Sequence, residues 1–252
     1  MNCPSVRGCT DMLPQTVSVA GLGGAGERLC RAWQALGIKA ACTLPDAVPP
    51  AAAVLLDMPA ERCLPFLQRY SGRFEAGTVF CDTAEVKAVV VSACEAFCAA
   101  HGMHFVGAHI VENQFILTPT ENTAPEALHT VQALAAAAGY LCVFTTPEEH
   151  DARIAFTEQL PRLLAAAYVQ SGQAAMHRGF SDAACRNLAL QADTDGASAA
   201  GAMLQNKEQL SAQVQDMTQR LQAVQQMLQN AGPEQLAAFL RDGQNSFSQY
   251  FQ

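Results

Sequence analysis

Val17-Ser-Val-Ala-Gly21-Leu-Gly23-Gly-Ala-Gly26-Glu27 reads as a strand, a G-x-G-x-x-G turn and the start of a helix in direct succession. The order matters physically. Gly21 permits a tight turn, Gly23 lets the backbone approach a diphosphate, and Gly26 lets the helix pack on the strand, while the helix N-terminus faces the anion. The pattern is weak alone and informative in this strand-to-helix setting. Gly21, Leu22, Gly23, Gly24, Ala25 and Gly26 are therefore the candidate dinucleotide-binding turn, for NAD or NADP. A bare glycine-rich turn is the competing account. The acid that holds the ribose is expected about twenty residues further on, and Asp46 stands there. Glu27 suits the helix dipole but adds a negative charge beside a diphosphate. Leu44-Pro45 precedes Asp46, Pro49-Pro50 follows it, and the next strand begins near Ala53, so the adenine end of the pocket has no helix to line it.

Outward from this turn, short apolar runs alternate with helix-length segments. Residues 17–20, 40–43, 53–57, 78–81, 105–108, 115–117 and 142–145 read as buried strands. Residues 27–36, 60–70, 86–101 and 124–138 carry helical patterns, mostly closed by a glycine: Gly37, Gly102 and Gly139. Such alternation predicts an α/β fold, a Rossmann-like, mostly parallel sheet with helices on its faces. After Pro147 the strands stop. Residues 148–178, 181–190 and 197–230 read as helices, with Pro161 marking a kink in the first of them. The last repeats Leu210, Val214, Met217, Leu221, Val224 and Leu228 at alternating spacings of four and three. That seam needs a partner helix, either in the same chain or across a homodimer. The predicted division is a dinucleotide-binding domain over 1–147 and an all-α domain over 148–252.

Half of the 252 residues are hydrophobic and 15% are charged, enough apolar surface for a core and no sign of disorder. A formal charge of −8 without a basic block disfavours nucleic acid and anionic lipid as partners. No apolar stretch is long enough for a membrane span, and the first fifteen residues, with Pro4, Arg7, Asp11 and Pro14, lack a signal-peptide core, so a cytoplasmic protein is expected. The ten cysteines lie mostly inside apolar segments and read as buried thiols. Cys94, Cys98, His101 and His104 form a C-x3-C-x2-H-x2-H run of zinc-ligand types, but Gly102 ends the helix before His104, and no metal site is expected.

Several segments, in order, resemble the prephenate dehydrogenase family. Besides the glycine turn they are Val79-Phe-Cys-Asp82-Thr-Ala-Glu85-Val-Lys87, similar to the family's D-x-x-S-V-K, and Phe105-Val-Gly107-Ala-His109, similar to G-G-H-P. Phe115-Ile-Leu117-Thr-Pro119-Thr120 resembles its I-L-T-P-T strand. Glu149-His150-Asp151, Leu160-Pro161-Arg162, Phe180-Ser-Asp-Ala-Ala-Cys-Arg186 and Asn206 complete the set. The resemblance implies an NAD(P)-dependent oxidoreductase of tyrosine biosynthesis, with a helical dimerisation domain, that oxidises and decarboxylates prephenate or arogenate. It implies His109 as acceptor of the hydroxyl proton, Arg186 as the grip on a substrate carboxylate, Glu85 and Lys87 as catalytic-site residues and Asp82 as a cofactor contact. Imidazole suits proton transfer near neutral pH, and guanidinium binds a carboxylate as a fork.

Against the family pattern, His109-Ile110-Val111 runs almost directly into Glu112 where the family has a longer loop. Glu85 replaces a serine that contacts nicotinamide and substrate. Arg162 replaces the histidine of L-P-H and is either a second carboxylate grip or a surface charge. These changes keep two alternatives open, a non-catalytic relative that senses a ligand or binds a partner, and a dehydrogenase of a smaller hydroxy or imino acid. Structural readings compete for single residues as well. His109 suits a backbone-bonded strand end, Arg186 an ion pair, Asp82 and Lys87 a helix-start pair, and His150-Asp151 a cap on its own helix.

Overall fold

The computed structural model describes residues 13–250 apart from residue 178. Seven strands form one sheet in the order β2-β1-β3-β4-β5-β6-β7: β1 (Thr16–Ala20), β2 (Lys39–Thr43), β3 (Ala53–Leu56), β4 (Val79–Asp82), β5 (His104–Val111), β6 (Gln114–Thr118) and β7 (Leu141–Phe144). Every pairing is parallel except β5 with β6. Alternate residues of each strand feed opposite faces, as the two-residue period of a strand requires. Val17, Val19, Leu55 and Cys81 pack with Leu29 and Trp33 of α1 (Gly24–Ala35) and with Val131 and Leu134 of α4 (Pro125–Ala137). Ala20, Val54, Leu56 and Phe80 pack with Phe66 and Leu67 of α2 (Ala60–Tyr70) and with Val91, Cys94 and Cys98 of α3 (Ala88–Ala100). The α/β reading therefore holds. The strand order turns back at β1, whose neighbours β2 and β3 leave in opposite directions, and the glycine turn sits at that switch.

The remaining helices are α5 (Pro147–Ile154), α6 (Leu160–Val169), α7 (Gly172–Met176), α8 (Ala183–Leu190), α9 (Gly196–Gln205), α10 (Lys207–Asn230) and α11 (Pro233–Tyr250). The helix read over 148–178 is thus broken. A wide π turn over Ala155–Gln159 runs straight into α6, whose second residue is Pro161, and the widened turn accommodates a residue that has no N–H to give the helix ladder. The chain breaks again at Ser171, and residue 178 lies outside the described residues. The helix read over 197–230 is interrupted at Asn206, whose buried side chain is committed elsewhere.

Contacts group the chain into one compact unit through Lys207 and a second from Glu208. In the second, Val214, Leu221 and Leu228 of the seam are exposed. No described helix is long and apolar enough to cross a membrane.

Candidate functional site

His109 lies inside β5 rather than after it. The β5–β6 connection is a two-residue turn, Glu112-Asn113, with Glu112 at φ 53°, and His109 pairs with Ile116. The loop that would follow the histidine is replaced by hairpin, so the strand runs on. The ladder between β4 and β5 stops at Cys81 and Val106. Beyond it two side chains continue the stitching. Asp82 accepts the Ala108 N–H at 3.0 Å, and Lys87 donates to the Ala108 carbonyl at 2.7 Å and to the Asp82 carboxylate. Both side chains are fully buried. Asp82 and Lys87 thus hold the residue beside His109, and neither is free to contact a ligand in this arrangement.

The His109 Nδ1 lies 3.1 Å from His150 Nε2, and His150 Nδ1 lies 2.9 Å from Asp151 Oδ1. A carboxylate only accepts, so a neutral His150 carries its proton on Nδ1 and presents Nε2 as an acceptor. His109 must then donate from Nδ1, which leaves the lone pair of its Nε2 bare. Burial first, then the charges of Lys87, His150 and Arg162, lower the His109 pKa to about 2. The imidazole is therefore neutral through the working pH range.

This has a consequence for stability. Between about 6.5, the ordinary histidine value, and about 2, the unfolded chain binds a proton that the folded chain refuses. Stability contributed by His109 is complete above the higher value and falls as the pH drops below it, by up to ~1.4 kcal/mol per pH unit. Denaturant unfolding of His109→Gln across mildly acidic pH should show a shallower loss than the parent chain, and an equal slope would contradict this.

Asp151 also caps a helix, though not its own. Its two oxygens accept the backbone N–H groups of Lys87 and Ala88, at 2.7 and 2.8 Å, at the start of α3. Its backbone carbonyl accepts from Asn206 Nδ2 at 2.8 Å, and the same amide reaches Gln159 Oε1 at 2.9 Å. Gln159 donates in turn to Glu85 at 3.0 Å. Asn206 therefore links the histidine chain to a charged cluster.

In that cluster Arg162 donates to Glu85 at 2.8 Å and to Glu158 at 3.0 Å. All three side chains are about three-quarters buried or more. The Arg162 fork is taken within the chain, by Glu85 and Glu158, so in this arrangement it is not a bare surface charge and does not stand open to a carboxylate. Glu85 is likewise neutralised in place. Burial and the neighbouring Glu85 raise the Glu158 pKa, with Arg162 opposing. The two departures from the family pattern, at 85 and 162, form one compensating pair.

The other sequence candidates are dispersed. Arg186 is exposed on α8 and donates to the Ser181 carbonyl at 2.6 Å, and no contact joins it to His109. Asp46 is exposed in a single 3-10 turn, Pro45–Ala47, beyond β2. Its carbonyl accepts from Arg73 at 2.7 Å. Cys94 and Cys98 are buried in the second core, and burial pushes the Cys98 thiol up to about 12. His101 bonds the Phe97 carbonyl at 2.8 Å and stacks on its ring. Among the described residues no three His, Cys, Asp or Glu side chains converge as metal ligands do.

At the glycine turn, the first N–H groups of α1 have no acceptor within the helix. The Gly26 N–H is taken by Asp57, the residue after β3, with Oδ2 at 3.0 Å. Thr83 Oγ1 donates to the other oxygen at 2.8 Å. A Cβ on Gly23 would collide with this carboxylate, and one on Gly26 would lie 2.6 Å from it. The room left by the glycines is filled by Asp57, and the turn in this state does not fit a diphosphate. In the sequence Asp57 is the last residue of an apolar strand run. Its signal is one of strand order, since a strand next to β1 must end beside the glycine turn.

Residues 146–242 match the family described as prephenate dehydrogenase, dimerization domain. No curated protein matches the chain in sequence. Prephenate dehydrogenase from Aquifex aeolicus, solved with hydroxyphenyl propionate and NAD+, is 18% identical and superposes with a TM-score of 0.79, over 93% of this chain and 98% of its own. Arogenate dehydrogenase from Synechocystis is 19% identical, with a TM-score of 0.73 over 93% of this chain and 99% of its own. At these identities the likeness is one of fold. Residues 146–242 thus match the prephenate dehydrogenase dimerization domain in sequence, and the chain shares the fold of these dehydrogenases over nearly all its length.

Proposed function

We propose that this chain is an oxidoreductase of the prephenate dehydrogenase kind, acting on the hydroxyl of a small carboxylate substrate. The observation that carries the reading is the chain His109, His150, Asp151. It fixes both tautomers and leaves one bare imidazole nitrogen at the carboxyl end of the sheet, the side on which open α/β sheets bind their ligands. His109 Nε2 accepts the hydrogen bond of the substrate hydroxyl and orients it. Proton density drawn from that hydroxyl is passed through Nδ1 to His150 and balanced by the buried carboxylate of Asp151. NAD or NADP is the cofactor in this reading, with the glycine turn as its place. Asp57 stands at the anion end of that turn.

The matched dimerization domain and the exposed seam of α10 support a homodimer through the C-terminal helices. Arg186, committed to no buried partner, remains the candidate carboxylate anchor.

Incubation of the purified chain with NAD+ or NADP+ and either prephenate or arogenate should give reduced dinucleotide. His109→Ala should lower that rate by about 10²-fold or more. Absence of reduction with both substrates and both dinucleotides would refute the reading.

A second reading, a relative that keeps the scaffold without hydride chemistry, is favoured by Asp57 in the turn and by Arg162 locked onto Glu85. Dinucleotide reduction that depends on His109 eliminates it.

A further inference from the structure

We propose that Asp57 is a built-in occupant of the anion-binding end of the glycine turn, an internal competitor that a dinucleotide's diphosphate has to displace. The inference takes the turn as the dinucleotide site, as in the reading above, and goes beyond it by naming the residue that governs access.

The carboxylate sits in the crevice beside β1 where the strand order reverses, the place that ligands of open α/β sheets occupy. It bonds the Gly26 N–H of the first turn of α1, one of the donors a helix N-terminus offers to a bound anion. It also fills the cradle of the turn. Added Cβ atoms at Gly23 and Gly26 would both strike it, so the missing side chains make room for Asp57 as they would for a phosphate oxygen. The carboxylate is held from both sides, by the Gly26 N–H and the Thr83 hydroxyl, and both donors are neutral. Its charge is therefore retained at the turn. Of the charges that follow on α1, Glu27 pairs with Arg31 at 3.9 Å on the exposed side, and the Arg28 guanidinium lies beside Gly24.

A diphosphate approaching this turn meets a like charge and a hydrogen-bond donor already spent. Two routes relieve the conflict: a neutral side chain at 57, or a swing of the carboxylate away from Gly26. The competitor acts on the anion and not on the nicotinamide, so its effect should extend to any diphosphate.

Calorimetric titration of the full chain with inorganic pyrophosphate and with NAD+ tests this, using the parent, Asp57→Ser and the isosteric Asp57→Asn, with thermal unfolding of each to show that it is folded. Both variants should bind pyrophosphate and NAD+ at least about tenfold more tightly than the parent, ~1.4 kcal/mol in binding. Tightening toward pyrophosphate alone upholds Asp57 as the occupant and refutes the turn as a dinucleotide site. Tightening in Asp57→Ser alone also upholds it, with bulk rather than charge as the obstacle. Measurable binding with equal affinity in all three proteins, for pyrophosphate and for NAD+ alike, overturns the proposal and leaves the oxidoreductase reading standing. No binding of either anion by any of the three overturns it as well.

Discussion

Lys87→Met should lower the unfolding free energy by about 3–5 kcal/mol, because it leaves the Asp82 carboxylate charged, buried and without its counter-ion. Both side chains are fully buried, so water cannot compensate. The change also removes the ammonium bond to the Ala108 carbonyl, one of two side-chain links between β5 and the β4 side past the end of their ladder. The loss should therefore appear twice, as a lower denaturation midpoint and as faster amide exchange around residues 107–111. Replacing Asp82 in addition would not restore the parent, since Asp82 also accepts the N–H groups of Ala84 and Ala108. A Lys87→Met chain as stable as the parent would show that the pair contributes nothing.

Asp151→Ala is the second large effect, and it acts on two levels. It uncaps α3, where the carboxylate receives the N–H groups of Lys87 and Ala88, and it orphans the buried Nδ1–H of His150. A lost cap and lost charge-assisted bonds together are worth about 2–4 kcal/mol. The functional consequence is separate. Without the carboxylate nothing fixes the His150 proton on Nδ1, so His109 need no longer present a bare Nε2. Asp151→Asn separates the two effects, since its amide oxygen can keep one cap bond while the negative charge is gone. It should recover part of the stability, whereas the histidine tautomers, read by nitrogen NMR, should remain mixed. Unchanged tautomers in both variants would show that Asp151 does not set them.

The sheet was legible because its signals are local. Each strand is an apolar run bounded by turn residues, and the glycine turn announces where the first helix begins. The helical half was less legible, and particular residues show why. Asn206 sits within a run of good helix formers, and nothing nearby indicates that its amide is spent on Asp151 and Gln159, 55 and 47 residues away in sequence. Pro161 points to a kink in the sequence, and what the chain shows is a wide π turn just upstream of it, in Ala155–Gln159.

The candidate site divides in the same manner. His109 was recognisable by its place in a motif. The compensation between Glu85 and Arg162 joins residues 77 apart, and two departures considered singly looked like two damaged functions. In the sequence His150-Asp151 suits equally a cap at the start of its own helix and a functional pair. The cap is real, but its recipient lies more than sixty residues earlier, at α3. Asp57 was passed over because its importance depends on β3 lying next to β1, a matter of strand order and not of local sequence.

The bend at Glu112-Asn113 leaves β5 and β6 no slack. Successive residues of an extended chain look to opposite sides, so a slip of one position would exchange His109 for Ala108 or Ile110 opposite the second imidazole. Those two belong to the greasy layer under α1 and α4. The phase of a five-rung hairpin thus decides whether a nitrogen base or a hydrocarbon meets His150, and changes of length in this stretch of strand are tolerable only in pairs.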